Sequence, residues 1–247
     1  MKVIYVSRGR LMAVWIFSGF FLLFFMLTLS KQPSMHDVFS SPVKKKIIVI
    51  DPGHGGFDSG AVSSSGTRED ELNLKVAKKL KRYLQEHDAS VLLTRETDEA
   101  LAANKADDMR ERVRIIRENS PDVVVSIHMN KFPQTQYFGG QTFYMTGSEE
   151  GKTLAQSIQI QLLENLIEGN NRQIKAASNL LILKAGNAPT VIVECGFLSN
   201  VKEEAMLKTN DYQDKIAWSI FNGILDYFAI EEELQWDGVP EPFLIPG

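Results

Sequence analysis

Two histidines follow apolar segments of the chain. His54 lies in a glycine-rich turn just after the β-branched residues 47–50, and His128 comes directly after the apolar residues 123–127. Uninterrupted apolar runs of this length predict strands that are buried on both faces. Because ligands bind beyond the carboxyl ends of the strands in open α/β sheets, we expect both imidazoles at that edge of one sheet.

Carboxylates that could complete a metal site with two histidines occur in two places. Glu69 and Glu71 begin a helical pattern after the first histidine, and Glu194 comes directly after a third apolar run. Two histidines and one carboxylate, with one position left for water, form a catalytic zinc arrangement. A second carboxylate near that water can move its proton. The residue types alone leave all three glutamates open for either role.

Four separated segments resemble, in order and in context, the motifs of zinc-dependent N-acetylmuramoyl-L-alanine amidases. They are DPGHGG from Asp51, EDELNL from Glu69, SIHMN from Ser126 and VECGFLSN from Val193. The resemblance covers about residues 46–228. It implies hydrolysis of the amide that joins the lactyl group of N-acetylmuramic acid to the L-alanine of the peptidoglycan stem peptide.

Carried over position by position, the resemblance also implies the roles of individual residues. His54, Glu69 and His128 would bind one zinc ion per chain, and Glu194 would be the catalytic carboxylate. A bound zinc ion makes water acidic enough to supply hydroxide near neutral pH. Such a site can therefore attack an amide carbonyl.

Supporting roles are expected for further polar residues. Asp51 could accept the proton of the His54 ring nitrogen that faces away from the metal. Asn130, which follows the second histidine closely, could polarise the scissile carbonyl. Arginines are bidentate partners of carboxylates, so the candidates for binding the stem peptide are Arg95, Arg112 and Arg172.

The periodicity of the remaining chain predicts one α/β domain with a mainly parallel, twisted sheet flanked by helices. Apolar residues recur at helical spacing in residues 71–87, 109–119, 149–168, 202–207 and 211–228. Strands are predicted at residues 47–50, 89–94, 123–127, 141–145, 180–183 and 190–193. We place the catalytic domain at 46–230 and a loosely held acidic, proline-containing tail at 231–247.

Composition excludes several classes of protein. The 247 residues carry 27 Lys and Arg against 31 Asp and Glu, so there is no basic field for nucleic acid. One cysteine, Cys195, excludes an internal disulfide framework and a cysteine-based zinc cluster. Following a buried strand, it is expected to act as a small hydrophobic residue. Lys131 stands where the amidases usually have a small residue, which could alter the substrate groove.

The amino terminus has the pattern of a membrane signal-anchor. Residues 1–10 contain three basic residues, and residues 11–30 are uncharged and rich in Phe, Leu and Met. Twenty such residues on a helix cover the hydrocarbon core of a bilayer, and the basic flank favours a cytoplasmic amino end. A cleavable signal peptide is the alternative. Residues 31–45 are expected to be a tether, and the catalytic domain to be extracytoplasmic.

Softer features of the resemblance point to the germination-specific cortex amidases of endospore formers. These features are the single anchored domain, the TRETD segment from Thr94 and the GGQTFYM segment from Gly139. They imply a role in forming muramic-δ-lactam in the spore cortex, with peptidoglycan, a membrane and a possible protein activator as partners. The alternatives are a zinc peptidase that ignores muramic acid and a non-catalytic cell-wall binding module.

Overall fold

A computed structural model describes residues 41–236 of the protein. They form a six-stranded mixed sheet with helices on both faces, in agreement with the predicted α/β class. The strands are β1 (Ile47–Pro52), β2 (Ser90–Leu93), β3 (Val123–Asn130), β4 (Gln141–Met145), β5 (Lys175–Ala177) and β6 (Thr190–Phe197). The helices are α1 (Glu69–Glu86), α2 (Lys105–Asn119), α3 (Glu149–Asn165), α4 (Val201–Leu207) and α5 (Asn210–Trp236).

The strand order brings the functional segments next to one another. The order is β2-β1-β3-β6-β4-β5, with β1, β2, β3 and β6 mutually parallel and β4 antiparallel to β6. The ends of β1, β3 and β6 are therefore neighbours at the carboxyl edge of the sheet. These are the three strands that the sequence assigned to His54, His128 and Glu194.

The two faces of the sheet carry cores of different size. Helices α1, α3 and α5 cover one face, where Ile48 and Ile50 of β1 and Val125 of β3 are fully buried. On the other face, Val49 and Val124 contact α2 and a short 3₁₀ helix. Since side chains alternate along a strand, the even-numbered residues of β3 point to this thinner side.

One predicted strand is a 3₁₀ helix, one strand was not predicted, and the last helix is longer than predicted. The apolar residues 180–183 were predicted as a strand, but Leu181–Lys184 is a 3₁₀ helix that buries Ile182 and Leu183 in the smaller core. Short apolar runs do not distinguish these states. Strand β5 lies just before it and was not predicted. Helix α5 continues to Trp236, past the predicted helix end at 228 and into the predicted tail from 231, because Glu and Leu favour helix.

The predicted membrane anchor at 11–30 and tether at 31–40 lie outside the described residues, as does the tail after 236. Within residues 41–236, no helix combines the length and apolar character needed to cross a bilayer.

Helices α3 and α5 approach so closely that only glycine fits at one contact. A Cβ on Gly223 of α5 would lie 2.5 Å from the Ile158 Cα atom of α3. We expect Gly223→Ala to lower the free energy of unfolding by about 1–3 kcal/mol, the cost of overpacking a core. Urea denaturation measures this change.

Gly186→Ala is the matched control, because a Cβ there meets only a side-chain methyl at 3.7 Å. Equal stability of the two variants would contradict the close approach of α3 and α5.

Candidate active site

Three donor side chains meet at the carboxyl edge of the sheet. The imidazoles of His54 and His128 and the carboxylate of Glu69 each offer a ligand atom, and these atoms lie within 4.8 Å of one another. Glu69 Oε1 lies 2.9 Å from His128 Nδ1 and 3.3 Å from His54 Nε2. The donors come from the loop after β1, the start of α1 and the end of β3.

The structure distinguishes between the acidic residues that the sequence left open. Glu69 is buried at the first position of α1 and faces the two histidines. Asp70 instead pairs with Arg68, and the Glu71 side chain is half exposed. Glu69 is therefore the carboxylate that joins the histidines.

Backbone amides fix the orientation of the Glu69 carboxylate. The Ala61 amide donates to Oε2 at 2.7 Å, and the Met129 amide donates to Oε1 at 3.2 Å. Burial raises the pKa of Glu69, but the hydrogen bonds and charges of His128 and His54 outweigh it and leave the pKa well below its usual range. The carboxylate is therefore ionised at any physiological pH.

Glycines leave the space that these side chains occupy. A Cβ on Gly53 would lie 2.2 Å from the His128 ring, and a Cβ on Gly60 would lie 2.4 Å from Glu69 Oε2 and 2.6 Å from the His54 ring. His54 itself has a φ of 63°, which is uncommon for a residue with a side chain. Such strained backbone is concentrated at functional sites.

Glu194 lies beside the donor group on the neighbouring strand. It is the register partner of His128 across β3 and β6. Its Oε2 atom is buried and has no hydrogen-bond partner among the described residues. Burial, together with the Glu69 charge, raises the pKa of Glu194 to about 7, although the two imidazoles act in the opposite direction. A carboxyl group that titrates near neutral pH suits proton transfer.

Asp58, rather than Asp51, orients the first histidine. The sequence prediction gave this role to Asp51, and the structure corrects it, since Asp58 Oδ2 lies 2.9 Å from His54 Nδ1. Burial lowers the pKa of His54, but Glu69 and Asp58 raise it to about 9 overall. The signal in the sequence was an acidic residue four positions after the histidine, in the same glycine-rich loop.

Asp51 belongs to a buried network behind the site. It accepts hydrogen bonds from Arg112 Nη1 and Thr94 Oγ1, both at 2.6 Å, and from Ser126 Oγ at 2.7 Å. Burial alone would raise the pKa of Asp51, but Arg112 and the two hydroxyls lower it to about 2. Asp51 therefore acts as the counter-charge of a buried arginine.

Two arginines predicted to bind substrate are instead structural. Arg95 is 3% exposed and donates to the carbonyls of Pro52, Gly53, Asp70 and Thr97. Arg112 is 1% exposed and donates to the carbonyls of Pro52 and His54 as well as to two carboxylates. The guanidinium groups of both arginines donate to backbone carbonyls at the end of β1 and in the segment that follows it, so they stabilise that segment rather than bind substrate.

The two remaining substrate candidates lie away from this network. Asn130 is partly exposed at the end of β3, so its predicted contact with the scissile carbonyl stays a prediction. Arg172 lies in the segment between α3 and β5, where it donates to the Phe138 carbonyl at 2.8 Å.

Cys195 is fully buried, and burial raises the pKa of its thiol, which agrees with the predicted role of a small hydrophobic residue.

Sequence reasoning missed two glutamates of α4 that brace the walls of the site. Glu204 Oε1 accepts hydrogen bonds from Ser63, Ser65 and Thr67, which belong to the loop that leads to Glu69. Glu203 accepts from the amides of Gly139 and Phe197 at 2.9 and 2.8 Å. Two acidic residues in the first turn after a helix cap such as Asn200 are typical of a solvent-exposed helix start. Only the burial of Glu203 and Glu204 in the structure shows that they hold neighbouring loops.

Two histidines and a carboxylate that converge beside a second acid are a set of groups that could hold the metal ion of a hydrolase. Residues 48–226 match the Amidase_3 family, the N-acetylmuramoyl-L-alanine amidases, and the chain belongs to this family. This membership favours the amidase over the peptidase and the binding module.

Two named relatives are similar over most of their own length. The germination-specific N-acetylmuramoyl-L-alanine amidase of Bacillus subtilis is 38% identical over 222 residues, which are 85% of this chain and 92% of that protein. The CwlD amidase from Clostridioides difficile, solved in complex with the GerS lipoprotein, has a TM-score of 0.73 and 37% identity. That match covers 75% of this chain and 100% of the solved one.

A second solved structure has the same activity in its name. It is an N-acetylmuramoyl-L-alanine amidase from Clostridium difficile 630, with a TM-score of 0.68 and 31% identity. The match covers 75% of this chain and 98% of that one. The shared fold therefore accompanies one named activity.

The glycine at position 60 is expected to be essential for cation binding. In Gly60→Ala the new methyl group would displace Glu69 and His54, and we expect zinc affinity to fall by at least about tenfold, as when a metal site loses its supporting contacts. Equilibrium dialysis with zinc measures the change.

Gly66→Ala provides the control, because Gly66 has a φ of +89° in the same loop but no atom within 4 Å of a new Cβ. It carries the same kind of backbone strain without the clash. A loss of zinc affinity equal to that of Gly60→Ala would contradict the steric argument.

Proposed function

We propose that this amidase is zinc-dependent, with the ion held by His54, Glu69 and His128, and with Glu194 as the catalytic carboxylate. The observation that carries the proposal is the meeting of three donors within 4.8 Å of one another beside the buried, unpartnered Oε2 of Glu194. A hydrogen-bond acceptor left without a donor at this position is explained by water or substrate bound during the reaction.

The residues fit zinc on chemical grounds. Two imidazoles and one carboxylate are ligands that zinc takes in catalytic sites, where a fourth position stays open. Asp58 at His54 Nδ1 leaves Nε2 of that ring for the ion. Because Glu69 is ionised and His54 holds a proton, zinc binding must release protons, and affinity should weaken as the pH falls.

The residues of the chain divide the reaction between them. A bound zinc ion supplies Lewis acidity, which polarises the amide carbonyl and acidifies water. Glu194 Oε2 takes a proton from the attacking water and delivers it to the leaving nitrogen of L-alanine. Burial and the nearby Glu69 charge raise the pKa of Glu194 in the metal-free chain, so its carboxyl group is readily protonated there.

We further propose that the substrate is spore-cortex peptidoglycan, with muramic-δ-lactam formation needed for germination as the outcome. The support is the 38% identity to a germination-specific amidase and the fold match to CwlD. A protein partner is proposed as well, because that CwlD structure was solved with a lipoprotein. Residues 11–30 are proposed to anchor the chain in a membrane with the catalytic domain outside the cytoplasm.

Replacement of the catalytic carboxylate should separate chemistry from metal binding. In Glu194→Gln we expect turnover to fall by about 10²–10⁴-fold, the usual contribution of a general acid–base group, while zinc stays near one per chain. Mass analysis of peptides released from peptidoglycan, alongside metal content, measures both quantities.

Glu164→Gln, at an exposed glutamate of α3, is the control and should keep full activity. Because His128→Ala removes a donor, it should lose zinc and activity together. Normal turnover of Glu194→Gln would remove the assigned role of Glu194.

The cortex role and the anchor can be tested together in cells. Full-length protein, made in a Bacillus subtilis strain that lacks its germination-specific amidase, should restore muramic-δ-lactam to the cortex and fractionate with membranes. The Glu194→Gln protein should fractionate in the same way without restoring the lactam. Lactam-free spores with active wild-type enzyme would contradict the cortex role, and recovery in the soluble fraction would contradict the anchor.

A further inference from the structure

A stack of planar groups stands beside the active site and ends in an exposed ring. Phe197 is fully buried, with the Arg172 guanidinium 4.5 Å from its ring centroid. The Phe132 ring stacks on Phe197 at 5.5 Å with 26° between the planes. The Tyr137 ring contacts the Phe132 ring in an edge-to-face arrangement, with 5.6 Å between the ring centroids. We call Phe132 and Tyr137 the aromatic platform.

The platform is exposed although its loop is firmly attached. Phe132 and Tyr137 are each 43% exposed. Their loop, residues 131–140, is attached to the segment after β6 through three hydrogen bonds: the Phe132 amide to Ser199 Oγ, Asn200 Nδ2 to the Thr135 carbonyl, and the Gly139 amide to Glu203. A fixed loop that keeps two rings in solvent presents a preformed surface for a ligand.

The register of the sheet places the platform next to the reacting groups. Phe197 pairs with Asn130 and is three residues beyond Glu194 on β6. The same interval on β3, from His128 to Asn130, is only two residues, because β6 contains a β-bulge there, so the stack starts about 7 Å along the sheet from the catalytic carboxylate. A substrate held at Glu194 can therefore reach the platform with a neighbouring unit.

The chemistry of the substrate indicates whether the aromatic platform binds the glycan strand or the stem peptide. The stem peptide carries charged carboxylates and few apolar faces. Apart from the lactyl group of muramic acid, the glycan strand consists of uncharged pyranose rings, each with a face of C–H groups that can pack on an aromatic ring. We propose that the aromatic platform is a sugar subsite that binds a pyranose ring of the glycan strand next to the muramic acid whose amide is cut. This rests on the proposed assignment of Glu194 as the reacting centre.

The subsite can be tested by binding, without any cleavage. The probe is a peptide-free tetrasaccharide of alternating N-acetylglucosamine and N-acetylmuramic acid, titrated calorimetrically into the full chain in detergent. We expect Phe132→Ala to weaken binding by about tenfold, the value of one aromatic contact. Phe132→Tyr, which keeps the ring, should bind within about twofold of the wild type.

Trp218→Ala is the matched control, because Trp218 is also 43% exposed but contacts Tyr83 on the helical face. It should bind the tetrasaccharide like the wild type. Equal affinity of Phe132→Ala and wild type would overturn the subsite, as would an equal loss in Trp218→Ala.

Cleavage kinetics give a second, separate measure. For the wild type, kcat/KM should be higher for a tetrasaccharide peptide than for the single muramoyl peptide, and Phe132→Ala should lose this preference. If the wild type cut neither substrate, the proposed function would fail, and the titration would still decide the subsite.

Discussion

The active site depends on one carboxylate that is held in place from several directions. Glu69 Oε1 is within 3.3 Å of both imidazoles and of the Met129 amide, and Ala61 donates to its other oxygen. These groups come from three segments that are distant in sequence. Because the carboxylate charge is balanced by its neighbours, the donors are preorganised, and a cation can replace protons without rebuilding the site.

The frame around this carboxylate consists of buried charged groups that bind backbone groups or hydroxyl side chains of the surrounding loops. Arg95 and Arg112 hold the carbonyls where the chain leaves β1, and Glu203 and Glu204 hold the loops on either side of α4. Each charge is matched by several hydrogen bonds, as burial requires. The frame therefore fixes loops that have little apolar core of their own.

Sequence patterns located the centre of the site but not this frame. His54, His128 and Glu194 follow apolar runs in the sequence, and the parallel order of β1, β3 and β6 brings the ends of these strands together. Only the family resemblance identified Glu69 as the glutamate that joins the histidines. Glu69 and Glu71 both lie in the first turn of α1, and they differ only in the direction in which their side chains point. Helical phase at a first turn is not fixed by composition.

The errors concerned charged side chains whose partners are distant in sequence. The sequence suggested Asp51 for the first histidine and Arg95 for substrate, yet Asp51 faces Arg112 and Arg95 is turned inward. An arginine reaches several backbone groups at once, and its partners depend on tertiary neighbours that a local pattern does not contain. The alternation of side chains along β1 predicts which face of the sheet Asp51 points to. The loop that contains Asp58 has no periodic pattern, so the direction of the Asp58 side chain could not be predicted.

The two faces of the sheet divide stability from chemistry. Three helices bury the larger core on one face, whereas the site's strand residues His128 and Glu194 lie on the side covered by α2. A buried acceptor without a donor costs about 1–3 kcal/mol, so Glu194 Oε2, which no described residue satisfies, is expected to take its hydrogen bonds from water or substrate. Stability therefore comes mainly from the larger core on the opposite face, and the side covered by α2 is left for chemistry.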